Sequence, residues 1–433
     1  MLALMVFGSL FALISFTRLP LGLVMLFTGA GGIAALHPRG IPAALAISEQ
    51  QIVDLATNYQ FSVLPLFILM GVFVVKAGLA DELFDAATRW LGHLPGGLGM
   101  ATIVACGGFS ALSASSSAAA ATMARISIPA MKKADYDEGF SAGTVAAGGT
   151  MGILIPPSGA LIIYGLLTEE SVGKLFIAGL IPGLLQLLSY VAVMFAVAII
   201  MPKWAPAGAR STWGERFHAL SKVWGIIFLF GLIMVGLVKG WFTATEAGGI
   251  GAGGAILFTL IRGKLTFKVF ADSLLEAARI STMIFVVASG ALVLNQFVNL
   301  SGMPGDVVRF IQTLGLANFT VILCLIVFYL ILGCLMDGFA MIFLTVPVVV
   351  PVVTAMGYDL VWWGIVTVIV VEISLITPPV GLNVFILKAM VPKLPIVQIF
   401  KGIFPFLFAD ALRLFAILLF PAIALWLPTL ASQ

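Results

Sequence analysis

Charged residues are scarce in this chain. Lys, Arg, Asp and Glu make up 9% of its 433 residues, whereas 61% are hydrophobic; a soluble domain has about 25% charged residues. A water-soluble fold cannot bury that much apolar surface in one core. The composition therefore excludes a soluble enzyme or binding module and predicts an all-α polytopic membrane protein.

Cysteine and histidine are scarce as well, with three residues of each. The cysteines lie in apolar runs without CxxC spacing, which argues against a disulfide framework or a structural metal site. The histidines fall in or beside polar segments, so neither a histidine proton relay nor the catalytic pair of an intramembrane enzyme is supported. We therefore expect no catalytic residue and no cofactor.

Long basic patches are also missing. The net charge is +3, and no basic run is interleaved with aromatic residues, so nucleic acid is not an expected partner. Lys and Arg concentrate in 202–222 and 262–279, which we place on the cytoplasmic side. The polar stretch 37–60 is then expected to connect two spans on the outer side. The apolar run 2–17 lacks a basic segment before it and is predicted to be a retained span.

A pattern recurs along the chain at a constant offset of 222 residues. The recurring residues are Pro129 with Pro351, Tyr136-Asp137 with Tyr358-Asp359, Pro156-Pro157 with Pro378-Pro379, and Gly159 with Gly381. Because the offset is free of gaps across 129–159, we interpret it as an internal structural repeat.

Each copy of the repeat is predicted to contain a re-entrant helical hairpin. The first spans 98–131 with a serine-rich tip at 113–117, and the second spans 318–355 with Asp337 at its tip. The basic loops place the first hairpin on the cytoplasmic face and the second on the outer face. The copies are therefore expected to be inverted, an arrangement typical of secondary transporters.

Each copy also contains a helix that a Pro-Pro pair interrupts, at 139–168 and at 361–391. Proline removes a backbone donor and frees carbonyl groups one turn earlier, and such groups are tolerated in lipid only where protein, water or an ion meets them. Freed carbonyls beside hydroxyls suit Na⁺, and half-helix N-termini suit carboxylates. We predict two cation sites, suited to Na⁺, around one anion site.

The repeat also predicts the division of the chain. We expect N-terminal scaffold helices in 1–60, the first repeat in 61–201, a cytoplasmic loop and scaffold helices in 202–261, and the second, inverted repeat in 262–433. Amphipathic segments at Asp81–Arg89 and Asp306–Gln312, one in each repeat, are predicted to be interfacial arms.

The predicted ligands lie at the hairpin tips and helix breaks. The first sodium site is predicted at Ser113, Ser115, Ser116, Gly149, Thr150 and Ile155. The second is predicted at Asp337, Gly338, Ser374 and Thr377. The predicted anion ligands are Ser116, Pro157, Ser158, Pro379, Asn383 and Arg125.

Structural roles compete with these assignments. The tip serines and Asp337 are also suited to capping a helix. Asn383 and Ser158 are equally suited to satisfying a loose helix end, and Arg125 is close enough to the basic cytoplasmic end to extend its side chain to that surface.

Two glutamates in apolar surroundings complete the set of candidates. Glu372 is deep in an apolar run and either pairs with a cation or lines the aqueous path, because an ionisable residue at membrane depth is costly and usually functional. Glu246 begins an apolar span and is expected to cap a scaffold helix.

Several long motifs resemble the large membrane subunit of tripartite ATP-independent periplasmic (TRAP) transporters. They are Phe109-Ser-Ala-Leu-Ser113-Ala-Ser115-Ser116, Ile128-Pro129-Ala-Met-Lys132-Lys133, Gly148-Gly-Thr-Met-Gly-Ile-Leu-Ile-Pro-Pro-Ser158, Phe242-Thr-Ala-Thr-Glu246-Ala, Met336-Asp337-Gly338 and Ile376-Thr-Pro-Pro-Val-Gly-Leu-Asn383. The resemblance covers essentially the whole chain.

The resemblance implies an elevator-type fold of the ion-transporter superfamily in the bacterial inner membrane. It implies import of a small organic anion, such as a dicarboxylate or sialic acid, driven by Na⁺. It further implies two protein partners, a small four-helix membrane subunit on a separate polypeptide and a periplasmic substrate-binding protein that does most of the selecting. The alternative is a stand-alone sodium-coupled carboxylate transporter of the divalent-anion type; a channel fits two inverted hairpins less well.

Overall fold

The computed structural model describes residues 19–113, 115–334 and 336–431, without the side chains of Leu112, Ser113 and Ile226. The predicted span at 2–17 lies outside the described residues. Every regular element within them is helical, so the predicted all-α class is confirmed. Seven helical segments are long and apolar enough to cross a membrane, or eight if a pair bent by 48° counts as one span. A helix satisfies its own backbone polar groups, as lipid requires.

The described chain opens with two helices that are packed together. They are α1 (Leu21–Leu36) and α2 (Ile41–Thr57), followed by a 3-10 turn at Tyr59–Ser62. Most of the polar stretch 37–60 is thus helical. Its helix follows Gly40, whose φ of 58° is one that glycine adopts readily.

A run of seven helices then follows. It comprises α3 (Val63–Lys76), α4 (Leu79–Leu91), α5 (Gly97–Ser113), α6 (Ser116–Lys133), α7 (Glu138–Leu154), α8 (Gly159–Thr168) and α9 (Val172–Ile200). Helices α10 (Trp213–Val238) and α11 (Ala244–Ile261) separate this run from the next.

The second run has the same order of elements. It comprises α12 (Phe267–Leu300), α13 (Met303–Thr313), α14 (Asn318–Gly333), α15 (Gly338–Ala355), α16 (Leu360–Ser374), α17 (Leu382–Met390) and α18 (Ile396–Leu419), and the short helix α19 (Ala422–Ala431) follows. Each run therefore has two helices, the two helices of a predicted hairpin, an interrupted helix and a long helix.

Corresponding helices also begin with corresponding caps. Asp137 accepts a hydrogen bond from the Phe140 N–H at 2.8 Å where α7 begins. Asp359, 222 residues later, accepts one from the Trp362 N–H at 3.0 Å where α16 begins. An acidic N-cap satisfies a backbone donor and favours a defined helix start, which explains why the aspartate of each Tyr-Asp pair recurs.

The two predicted arms form amphipathic helices, α4 and α13. Each begins after a glycine in the left-handed region, Gly78 at φ 75° and Gly302 at φ 70°. Glu246 acts as predicted at the start of α11, where it forms a capping box with Thr243.

Glycines bring two pairs of helices into backbone contact. Between α1 and α12, a Cβ on Gly29 would lie 2.6 Å from the backbone nitrogen of Leu294. Between α7 and α18, a Cβ on Gly143 would lie 2.4 Å from the carbonyl carbon of Gly402. Small residues of this kind allow close association of helices in membranes, and here they hold α18 against the first interrupted helix.

Candidate functional site

The first hairpin tip lies against the last turns of α7. Ser115 is the N-cap of α6, where its Oγ accepts a hydrogen bond from the Ala118 N–H at 3.4 Å. A Cβ on Gly152 would lie 3.2 Å from the carbonyl oxygen of Ser115, and one on Gly149 would lie 2.7 Å from the Cβ of Ala120. The glycine face of α7 thus brings the tip and the broken helix together. The side chain of Ser113 lies outside the described part.

The first break, at 155–158, is enclosed by protein. Ser158 is buried and caps α8, accepting a hydrogen bond from the Leu161 N–H at 3.2 Å and donating one to the carbonyl oxygen of Ile153. Pro156 and Pro157 are buried. Gly183 of α9 allows this close cover, since a Cβ there would lie 3.0 Å from the side chain of Ile155.

The side chain of Thr150 does not point toward the hairpin tip. Its hydroxyl donates to the Ala147 carbonyl at 2.8 Å and accepts a hydrogen bond from Gln186 of α9 at 3.3 Å. Adjacent positions on a helix point roughly 100° apart, so Gly149 faces the hairpin while Thr150 faces α9. The last turns of α7 lie against the tip, and a sodium role for Thr150 stays a prediction.

The second hairpin tip contacts both broken helices. Asp337 is exposed and is the N-cap of α15, accepting a hydrogen bond from the Phe339 N–H at 3.1 Å. A Cβ on Gly338 would lie 2.7 Å from Val371 in α16 and 3.9 Å from Ile153 in α7. This tip therefore lies where the two interrupted helices approach each other.

The second break presents oxygen atoms to the same tip. The Sγ of Cys334 lies 3.9 Å from the carbonyl oxygen of Thr377 and 3.8 Å from that of Pro378. The hydroxyls of Ser374 and Thr377 each donate to a backbone carbonyl, both at 2.6 Å. Hydroxyl and carbonyl oxygens thus surround the end of α16.

The two breaks differ in exposure. Pro378 and Pro379 are exposed, whereas Pro156 and Pro157 are buried. Gly381, at φ 63°, ends the second break and starts α17. The second break is therefore the more accessible of the two.

Two of the predicted anion ligands, Asn383 and Arg125, lie in different surroundings. Asn383 is buried and links the broken helices, because its Nδ2 donates to the Ala146 carbonyl of α7 at 3.4 Å. Its Oδ1 has no hydrogen-bond partner among the described residues. Arg125 is exposed on α6, which favours the surface alternative for this residue, and its contact with an anion stays a prediction.

A series of buried polar side chains connects α16, α18 and α9 near the two breaks. The Oε2 of Glu372 in α16 lies 3.2 Å from Nη2 of Arg413, which in turn lies 3.0 Å from Oδ1 of Asp410. The Tyr190 hydroxyl of α9 donates to Oδ2 of Asp410 at 2.6 Å, and Gln186 donates to that hydroxyl at 3.4 Å.

This series of polar contacts ends at Thr150, so it connects the first broken helix to the second. Of these residues, sequence reasoning singled out Glu372 and Thr150. The sequence did carry a signal for Asp410 and Arg413. They lie three residues apart on one face of an apolar helix, and ionisable residues at membrane depth are costly. Gln186 and Tyr190 carried no comparable signal.

One open cavity of about 750 Å³ lies apart from these residues. It is bordered by Glu169, Glu170, Lys174 and Thr243, around the ends of α8, α9 and α11. None of the predicted sodium or anion ligands lines it.

Backbone that leaves the helix inside long apolar segments, flanked by hydroxyl and carbonyl oxygens, is typical of membrane transport proteins. The fold and the site define a multi-pass membrane transport protein. Residues 7–423 match the family described as "Tripartite ATP-independent periplasmic transporter, DctM component". The chain belongs to this family, which confirms the resemblance of its motifs.

Two relatives and one solved structure illustrate the similarity. The C4-dicarboxylate TRAP transporter large permease protein DctM of Pseudomonas aeruginosa is 34% identical, over 93% of this chain and 92% of the relative. The sialic acid TRAP transporter large permease protein SiaM of Vibrio cholerae is 28% identical over 98% of both chains. Both are transporter permeases rather than enzymes.

The crystal structure of the Alcanivorax borkumensis YdaH transporter superposes with a TM-score of 0.64, covering 92% of this chain and 90% of that one, at 13% identity. This likeness concerns the fold alone.

Proposed function

We propose that this chain is the sodium-coupled large permease of a tripartite importer of small organic anions. The observation that carries the proposal is the pairing of each hairpin tip with a helix break: Ser115 with the end of α7, and Cys334 and Gly338 with α16. Two such pairings supply oxygen ligands at two places in an otherwise apolar bundle.

The second pairing is the better-supported sodium site. Asp337 supplies a carboxylate at the tip, and the carbonyl oxygens of Thr377 and Pro378 are within 4 Å of Cys334 beside it. Hard cations such as Na⁺ favour carboxylate, carbonyl and hydroxyl oxygens. Na⁺ binding there then draws the tip onto the exposed break.

The anion site is proposed between the breaks. Helices α8 and α17 begin at Gly159 and Leu382, after the two Pro-Pro pairs, and helix N-termini favour negative charge. The side chain of Asn383 lies where α17 meets α7. An amide and two helix N-termini suit a carboxylate, and the names of the relatives are in keeping with organic acids as cargo.

Alternating access is proposed to follow the repeat. The matched order α3–α9 and α12–α18, together with the basic loops, supports two inverted copies. In an elevator movement the hairpins and broken helices travel as a unit past the remaining helices. Na⁺ and the anion then raise each other's affinity equally, because coupling between two ligands is reciprocal.

The partners are proposed to be those of the family. A tripartite transporter has three components, and the DctM component is one of them. We expect a small membrane subunit beside this chain and a periplasmic binding protein that delivers the anion. The alternative is a stand-alone carboxylate transporter with the same hairpins.

Reconstitution separates these alternatives. The chain and its small membrane subunit are placed in proteoliposomes, and uptake of candidate dicarboxylates and sialic acid is measured with and without the accompanying binding protein and an inward Na⁺ gradient. We expect uptake only when both are present. Full Na⁺-driven uptake without the binding protein would identify the stand-alone transporter instead.

A further inference from the structure

Two carboxylates and one arginine form a buried cluster, consisting of Glu372, Asp410 and Arg413. The side chains of Glu372 and Arg413 are 0% and 2% exposed, and that of Asp410 is 1% exposed. With all three ionised the cluster would carry a net charge of −1 in the interior of an apolar bundle. Burying a net charge is far more costly than burying a neutral set of polar groups.

Among the described residues, the groups that surround Glu372 provide no second positive charge. Arg413 and Asp410 face it from α18, and the backbone of Leu154, at the end of α7, faces it from the other side. From α9, Tyr190 reaches the cluster through Asp410. A proton is the simplest cation that balances the charge.

The neighbouring groups distinguish the two carboxylates. Asp410 accepts a hydrogen bond from the Tyr190 hydroxyl on Oδ2 at 2.6 Å, and its Oδ1 lies 3.0 Å from Arg413 without a hydrogen bond of its own among the described residues. A hydroxyl donor and a nearby positive charge both favour the ionised form. Glu372 has one side-chain donor, Arg413 at 3.2 Å, and its Oε1 has no hydrogen-bond partner among the described residues. A neutral carboxylic acid tolerates this better than an anion.

We propose that the cluster of Glu372, Asp410 and Arg413 is a proton-binding site that holds one resident proton on Glu372. The cluster is then neutral, with Asp410 and Arg413 as its ion pair and Glu372 as a carboxylic acid. Because it joins α16 to α18, and α18 packs on α7 through Gly402, this neutral site holds the two broken helices together without an uncompensated charge. The site does not depend on sodium coupling.

Infrared spectroscopy of the purified complex with its small membrane subunit tests this directly. At neutral pH the wild-type protein should show the C=O stretch of a protonated carboxylic acid. Isotopic labelling of glutamate should shift this band, and labelling of aspartate should not. Absence of the band, or a shift on aspartate labelling alone, overturns the assignment.

Charge balance gives a second, independent arm. Glu372→Gln removes the proton-carrying group, and Asp410→Asn leaves Arg413 to balance an ionised Glu372, so each variant should lose the band. Glu276→Gln, which removes an exposed carboxylate paired with Lys76, is the matched control and should retain it. If Asp410→Asn keeps the full wild-type band, the cluster does not bind its proton for charge balance, and the proposal fails even if Glu372→Gln does not fold.

Discussion

Arg413 lies 3.2 Å from Glu372, and both side chains are almost completely buried. The contact joins α18, the last helix of the second run, to α16, the first half of the second broken helix. Asp410 and Tyr190 extend it toward α9. The two broken helices, which carry the proposed ion sites, are therefore connected through polar groups as well as through apolar packing.

Removing the arginine should be costly. Arg413→Ala leaves two buried carboxylates without their partner, and breaking a buried ion pair in this way costs about 3–5 kcal/mol. We expect a large fall in the unfolding temperature of the purified protein in detergent. Lys132→Ala is the control, because its ion pair with Glu138 is exposed and exposed pairs contribute little. Equal shifts for the two variants would show that the cluster contributes no more than a surface pair.

Two glycine substitutions should change stability in opposite directions. A Cβ on Gly402 would lie 2.2 Å from the carbonyl oxygen of Gly139, so Gly402→Ala must force α18 away from α7 at a cost of roughly 1–3 kcal/mol. Gly253 in α11 has nothing within 4 Å of its Cβ position, and alanine there should stabilise the helix by about 0.5–1 kcal/mol. Thermal unfolding of the two variants measures the difference, and a neutral Gly402→Ala would contradict the close contact.

Substitution of Asn383 should affect anion uptake more than folding. Asn383→Ala removes an amide proposed to contact the anion, and a hydrogen bond to a charged group is worth about 1.5–3 kcal/mol. We expect the substrate concentration for half-maximal uptake to rise at least roughly tenfold at saturating Na⁺.

Asn318 supplies the control for this experiment. Its Nδ2 donates to the Met356 carbonyl at 3.3 Å, much as Asn383 donates to Ala146 at 3.4 Å. Asn318→Ala should leave the half-maximal concentration close to the wild-type value. Similar changes in both variants would assign Asn383 a purely structural role.

Local patterns in the sequence predicted much of the fold. The Pro-Pro pairs mark both breaks, because proline lacks the backbone N–H of the helix and its ring clashes with the preceding turn. The recurring Tyr-Asp pairs mark the starts of α7 and α16, because aspartate is a strong N-cap. The hairpin arms and amphipathic helices followed from apolar runs and turn residues.

Tertiary packing determined what local patterns did not predict. The direction of Thr150 follows from which face of α7 carries the glycines that α6 contacts, and the burial of Pro156 follows from the cover that α9 provides. Neither feature can be predicted from the local sequence. The link from Asp410 to Tyr190 joins residues 220 positions apart, and a single sequence does not reveal such a pairing.

The central claim is that the two hairpin tips bind Na⁺, and both tip residues are also helix caps. The control must therefore remove equivalent caps elsewhere. Ser171 accepts a hydrogen bond from the Lys174 N–H at 3.4 Å, the same distance as at Ser115. Asp359 is the acidic cap that matches Asp337. Loss of any such cap costs typically about 1 kcal/mol.

The most direct measurement is the Na⁺ dependence of anion uptake in proteoliposomes for Ser115→Ala with Asp337→Ala, compared with Ser171→Ala with Asp359→Ala. If the tips bind Na⁺, the first pair needs much more Na⁺ for half-maximal uptake and shows a shallower dependence, whereas the second pair keeps the wild-type curve. Full wild-type Na⁺ dependence after loss of Ser115 and Asp337 would contradict sodium binding at the tips.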